Sequence, residues 1–289
     1  MGLLGSAKFA LNRILAPFNV RLQSLTAERA ETERLARLVR SGHFERPVFP
    51  VPEQFRRCDP GPVLAAVRES EALLARFAEG DGSGGYRFEN SYYESPDAEV
   101  LYAMVRLHRP TRVIEVGSGN STMLFREAIK DAGLRTRLIS IDPHPRKDIE
   151  GCADEVLRQR VEDIDLEARF GTLAKGDFLF IDSSHRIEPG NDVVRLFLNV
   201  LPTLGDGAIV HVHDVFLPFE YPRDWIVDQR WNWNEQYLLQ AMLQGSTDFE
   251  VLWAGHYIQR TFPDFARSFR FWRGAAARSV WLRRSPWRA

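Results

Sequence analysis

"RVIEVGSGNST" (residues 112–122) reads as a β-rich apolar run that stops at a glycine turn, and what that turn holds decides the fold and most of the function. Gly117 and Gly119 allow a sharp reversal and the close approach of a ligand to the backbone. A helix starts near Asn120 or Ser121, whose amides and hydroxyls add hydrogen-bond donors. Three occupants fit such a turn: the pyrophosphate of a dinucleotide, a nucleoside without phosphates, or nothing. The dinucleotide fingerprint G-x-G-x-x-G asks for a third glycine at position 122, where the chain has Thr122.

Working outward, apolar runs and helical stretches alternate. "STMLFREAIKDAG" is a helix closed by glycine, "RLISID" the next strand and "DFLFID" another, followed by a helix from about 189 to 200. "AIVHVHDVF" is a further strand, then come a helix around 235–243 and "FEVLWAG". This alternation predicts an α/β fold with a doubly wound, Rossmann-like parallel sheet. Ligands of such sheets sit beyond the carboxyl ends of the strands. Those ends carry Ser118, Asp142, Asp163 (in "RVEDID", a weaker strand), Asp182 and Asp214.

The acids narrow the ligand. Glu115 stands two residues before Gly117, Asp142 is placed for the two hydroxyls of a ribose, and Asp163 follows on the adenine side. An acidic rim with no lysine or arginine in the turn suits a cationic nucleoside, S-adenosylmethionine, better than a pyrophosphate. "VIEVGSGNST", "LISIDPHPR", "GDFLFIDSSH", "GAIVHVHDVF" and "WNEQYLLQAML", in this order, resemble the class I S-adenosylmethionine-dependent methyltransferases. The likeness is greatest to the branch of catechol-type and sugar O-methyltransferases and cephalosporin-hydroxylase-like proteins, over residues 88–285. It implies a seven-stranded sheet whose last strand, "SVWLRR" (279–284), is antiparallel, and a cofactor site of Glu115, Gly117, Ser118, Asp142 and Asp163. Gly119, Ser121 and Asp182 complete the expected cofactor contacts.

At the catalytic end, "FIDSSH" puts His185 three residues after Asp182, and in "HVHDV" His211 and His213 share a strand face with Asp214 at the tip. His185 and His213 are the expected catalytic pair. Asp182, Asp214 and His213 form the candidate metal set, because a divalent cation would orient an acceptor hydroxyl and lower its pKa. In the resembling O-methyltransferases, a base matches His185 and metal-binding carboxylates match Asp182 and Asp214. The imidazole of His213 departs from their oxygen ligand and suits manganese, iron or zinc better than magnesium. Two alternatives accompany this reading: a metal-dependent hydroxylase on the same scaffold, with two histidines and a carboxylate around iron, and a non-catalytic partner in a biosynthetic complex. His211 is expected to be a buried, hydrogen-bonded strand residue.

The chain as a whole sets limits. It has 289 residues, 44% hydrophobic and 27% charged, with a formal net charge of −1, which argues against nucleic acid as a partner. Two cysteines without CxxC spacing and no long apolar run point to a cytoplasmic protein. Residues 1–60 read as an N-terminal helical arm and a proline-rich linker ("ERPVFPVPEQ", 45–54), and 61–289 as the methyltransferase domain. The arm is basic and amphipathic; it packs on the body, on a second subunit of a homo-oligomer, or as a peripheral contact on an anionic membrane. The acceptor is a small molecule or a glycan, with aromatic residues in 216–239 as its expected wall. From Arg267 to the end there are seven arginines and no acid, a second basic segment.

Overall fold

The computed structural model describes residues 3–79 and 85–285; of the glycine-rich stretch expected as a flexible loop (80–85), only Gly85 falls inside them. The strands are β1 (Arg112–Val116), β2 (Arg137–Ile141), β3 (Glu155–Leu157), β4 (Phe178–Ile181), β5 (Ile209–Val212), β6 (Phe249–Ala254) and β7 (Val280–Arg284). They form one seven-stranded sheet in the order β3-β2-β1-β4-β5-β7-β6. The first five are parallel, and β7 runs antiparallel between β5 and β6. The doubly wound sheet with a reversed final strand is therefore as expected. Asp163 is not on the third strand: β3 lies earlier, and Val161–Asp163 is a single 3₁₀ turn.

Alternation along each strand sends successive side chains to opposite faces, so buried parallel strands are apolar throughout. In β1, Val113 joins a core with α3 (Gly61–Leu74), α4 (Asp97–His108) and α5 (Asn120–Asp131), while Ile114 and Val116 join the core on the other face. That second core takes in Val193, Leu196 and, from α6 (Glu235–Gly245), Leu239 and Leu243. The crossovers from β1 and β4 leave in opposite directions, toward β2 and β5. This opens a crevice between the carboxyl ends of β1 and β4.

The proline-rich stretch is strapped to the body rather than a free linker. The amides of Val48 and Phe49 donate to the Pro218 carbonyl, and Phe55 is buried in the second core. The N-terminal arm behaves differently. Its two helices, α1 (Leu3–Leu15) and α2 (Thr26–Arg40), are joined by an extended return. From Ala7 to Ala30 every side chain is exposed except the half-buried Asn12 and Leu15, so this part does not pack on the body. Contact begins further along α2, where Leu35 is buried and Arg230 donates to the Thr32 hydroxyl at 3.0 Å.

Candidate active site

The turn after β1 is held from three sides. Gly117 has φ +82°, and a Cβ there would lie 1.8 Å from the backbone oxygen of Asp182, so a side chain is ruled out twice. The Ser118 amide and hydroxyl both donate to Asp142 Oδ2, at 2.8 and 3.1 Å, and the His144 amide donates to Oδ1 at 2.7 Å. Thr122, standing where the dinucleotide fingerprint has glycine, accepts from the Gly119 amide at 3.0 Å and donates to Glu115 at 2.5 Å. The position is used to lock the turn to the strand beneath it.

Glu115 lies behind the turn, fully buried, and also takes hydrogen bonds from Ser121 and Ser140 at 2.7 Å each. Burial pushes its carboxyl up to about 7, although the three hydroxyls pull the other way. Glu115 and Ser121 thus brace the turn, and neither lines the cavity in front of it.

That cavity, about 460 Å³, runs from Gly117 and Ser118 across Asp142 to Asp182 and Asp192. Gln159, Val161 and Glu162 close its β3 side, where the sequence points to Asp163; Asp163 itself is exposed and does not line the cavity. Arg146, Arg160 and Arg186 also reach the rim, so the cavity is less uniformly acidic than the motifs suggested. Its length and its polar ends could hold a nucleoside, with Asp142 at the ribose.

Beside it, at the ends of β4 and β5, Asp182, His185 and Asp214 come together, with one ligand atom of each within 4.8 Å of the others. His185 Nε2 is 3.2 Å from Asp182 Oδ1 and 3.5 Å from Asp214 Oδ2. Both His185 (φ 57°) and Asp214 (φ 53°) hold left-handed backbone, which costs of order 1–3 kcal/mol for a non-glycine residue and clusters at functional sites. The turn at His185 is fixed by α6: the amides of Asn234 and Glu235, unpaired donors at a helix start, both bond the His185 carbonyl. Glu235 then reaches His185 Nδ1 with Oε2 at 2.9 Å. Burial would lower the imidazole's pKa, but Asp182, Glu235 and Asp214 outweigh it and raise it well above the ordinary value. The Asp182 carboxyl moves down for the reciprocal reason: burial opposes ionisation, and the His213 and His185 rings more than offset it.

His213 stands outside this cluster. It shares a face with His211, as expected, with ring centroids 5.4 Å apart, and packs 4.9 Å from Tyr93. Its ring nitrogens have no hydrogen-bond partner, nor does the Tyr93 hydroxyl, and all are buried. The group whose ligand atoms lie within 4.8 Å of one another takes His185 as its third member, while His213 sits at its edge with Nε2 3.9 Å from Asp214 Oδ1. His211 is buried but not hydrogen-bonded: it stacks on Phe180 at 3.8 Å, and burial drives its pKa well below the ordinary value.

An aromatic wall covers His185. Trp233 lies 4.3 Å from its ring, with Trp231 and Trp225 at 4.6 and 5.0 Å from Trp233, all three partly exposed. Two site residues were not singled out in the sequence. Glu235 was visible only as part of "WNEQYLL", and Arg278, 3.1 Å from Asp214 Oδ1, only as one arginine of a basic tail.

Residues 114–215 match the family model of a methyltransferase domain. No curated protein matches the chain. Among solved structures, an S-adenosylhomocysteine-bound methyltransferase from Podospora anserina is 16% identical, overlapping 92% of this chain and 98% of that one, with a TM-score of 0.43. A Bacillus cereus O-methyltransferase in complex with S-adenosylhomocysteine is 13% identical over 77% and 90%, with a TM-score of 0.41. A Burkholderia thailandensis 1,6-didemethyltoxoflavin-N1-methyltransferase is 14% identical over 79% and 92%, with a TM-score of 0.37. These are similarities of shape alone, and the chemistry of the site rests on its own residues.

Proposed function

We infer that this chain, which carries a class I S-adenosylmethionine-dependent methyltransferase domain, transfers the sulfonium methyl group to a hydroxyl of a glycan or specialised metabolite. The observation that carries this reading is the Asp182–His185–Asp214 cluster, backed by Glu235 and set beside the nucleoside-sized cavity. On this reading Gly117 and Ser118 border the methionine and ribose, Asp142 takes the ribose hydroxyls, and Glu115, Gly119 and Ser121 hold the turn in place. Asp182 faces the sulfonium end. The domain spans 61–289 and works in the cytoplasm on a small-molecule or glycan acceptor.

Bound S-adenosylmethionine would supply the sulfonium methyl to the acceptor oxygen, with S-adenosylhomocysteine as the leaving thioether. His185 Nε2 takes the hydroxyl proton, and Glu235 holds the ring in position and stabilises the imidazolium that forms. His185 must be neutral at that moment. The cationic sulfonium near Asp182 and the Arg278 guanidinium on Asp214 weaken the carboxylates' hold on its proton. Tyr93 and His213, buried with unpartnered polar atoms, are suited to hydrogen-bond the acceptor, and Trp233 to stack on it.

The donor chemistry of the cluster, two carboxylates and an imidazole within 4.8 Å of one another, fits a divalent cation, with Asp214 Oδ1 already ion-paired to Arg278 at 3.1 Å. Asp182 and Asp214 would hold it, and it would supply Lewis-acid polarisation of the acceptor hydroxyl. Carboxylate oxygens are the donors magnesium and manganese prefer. The hydroxylase alternative needs a second histidine in that set, and among the described residues the cluster has one.

The test is methyl transfer from labelled S-adenosylmethionine to a panel of hydroxylated sugars and phenols. Transfer that is lost in His185→Ala, with cofactor binding kept, supports the reading. Transfer that survives the substitution overturns the base assignment.

A further inference from the structure

From Ala7 to Ala30 the N-terminal arm is an apolar, basic hairpin that no described residue of the body covers. Seven of the twelve exposed large hydrophobic side chains among the described residues lie between Phe9 and Leu25, with Phe9, Ile14 and Phe18 at 68, 65 and 74% exposure. Scattered exposed apolar residues need no explanation, but a concentration of this kind marks an interaction surface. The hairpin is built rather than frayed. Asn19, in left-handed backbone (φ 55°), reverses the chain after α1, and Asn12 clasps the return through both of its amide atoms, at 3.0 and 2.7 Å from the Leu22 backbone.

Charge selects the occupant. The first 27 residues contain Lys8, Arg13 and Arg21 and no acid, the first being Glu28. All three cations are exposed. The C-terminal basic segment contrasts with this, because Arg278 and Arg284 are largely buried and paired with Asp214 and Asp248, and Arg283 pairs with Glu250 at the surface. Nor does the body offer a second copy's arm an apolar seat. Two of its cavities among the described residues, about 460 and 410 Å³, are lined by charged side chains such as Arg146, Glu162, Lys147 and Glu150. No helix among the described residues is long and apolar enough to cross a membrane.

We propose that the arm docks the enzyme reversibly on an anionic lipid surface, with the apolar side chains of residues 9–25 in the interface and Lys8, Arg13 and Arg21 on the headgroups. The arm joins the body where α2 meets Arg230, next to the tryptophan wall, so docking brings the acceptor side of the site toward the lipid. This goes beyond the methyltransferase reading and stands or falls without it.

The full chain is sedimented with vesicles of phosphatidylcholine alone and of equal parts phosphatidylcholine and phosphatidylglycerol, at low and raised salt. The expected result is binding to the phosphatidylglycerol vesicles only, weakened by salt. Lys8→Glu/Arg13→Glu/Arg21→Glu should weaken it by roughly a hundredfold or more, since each cation at an anionic surface is worth about a factor of five. Ile14→Asp/Phe18→Asp should abolish it, with an unchanged urea unfolding transition as the control for folding. Equal binding to both vesicle types overturns the proposal. So does a dimer that ignores both vesicle types and dissociates on Ile14→Asp/Phe18→Asp, which would assign the arm to a second copy.

Discussion

His185 Nδ1 and Glu235 Oε2 lie 2.9 Å apart across fifty positions of sequence, so the imidazole at the end of β4 is oriented by the first turn of α6. Removing the charge while keeping the shape, as in Glu235→Gln, should lower kcat by about 10–100-fold, the usual effect of losing an orienting carboxylate. His185→Ala should cost about 10²–10⁴-fold, as for loss of a general base. Neither should change the dissociation constant of S-adenosylhomocysteine appreciably, which calorimetry checks. Parallel loss of binding in both would place them in the cofactor site instead.

The glycine turn makes a prediction of the opposite kind. Gly117→Ala drives a Cβ into the Asp182 carbonyl and forces a left-handed backbone on alanine. It should destabilise the fold by at least about 2 kcal/mol and weaken cofactor binding together, in urea unfolding and titration. Asp142→Ala should weaken binding while leaving the fold close to wild type, because its carboxylate serves the turn and the cavity and no buried core.

Glu115 gives a pH dependence. Its folded pKa of about 7 lies above its ordinary 4.5, so the folded state keeps a proton that the unfolded chain releases. The stability this group contributes is therefore full below about pH 4.5 and is lost as pH rises through about 7. The swing is of order 3 kcal/mol from that shift. In cofactor-free protein, Glu115→Gln should flatten the decline of unfolding free energy across this window. An unchanged slope in the variant would contradict the assignment.

Much of the fold and part of the site follow from the chain itself. The sheet, its reversed last strand and the turn at Gly117 follow from strand periodicity and glycine placement, which are local signals. Asp182, His185 and Asp214 were legible because each closes or follows a strand whose neighbours parallel winding fixes. Asp163 was misplaced because "RVEDID" has a strand's alternation without the pairing, while the short β3 carries a charged residue, Glu155, and no strong pattern. Glu235 and Arg278 were illegible as site residues for another reason. Their roles come from α6 and the approach to β7 folding back on β4 and β5, and no spacing encodes that contact. The place of His185 between Asp182 and Asp214, with His213 at the edge, goes with left-handed backbone at His185 and Asp214, which neither residue type announces.

The metal assignment is tested by chelation. Protein stripped of divalent ions should lose methyl transfer and regain it with magnesium or manganese, and Asp214→Asn should not be rescued by either. Full activity in stripped protein would leave Asp182 and Asp214 as purely electrostatic partners of His185.

The most direct test of the central claim is calorimetric titration of the purified chain with S-adenosylmethionine and S-adenosylhomocysteine, with NADH as the control. The site described here predicts that both sulfur nucleosides bind, that NADH does not, and that Asp142→Ala weakens both. Binding of NADH with neither nucleoside would contradict it, and would return the turn at Gly117 to the dinucleotide reading.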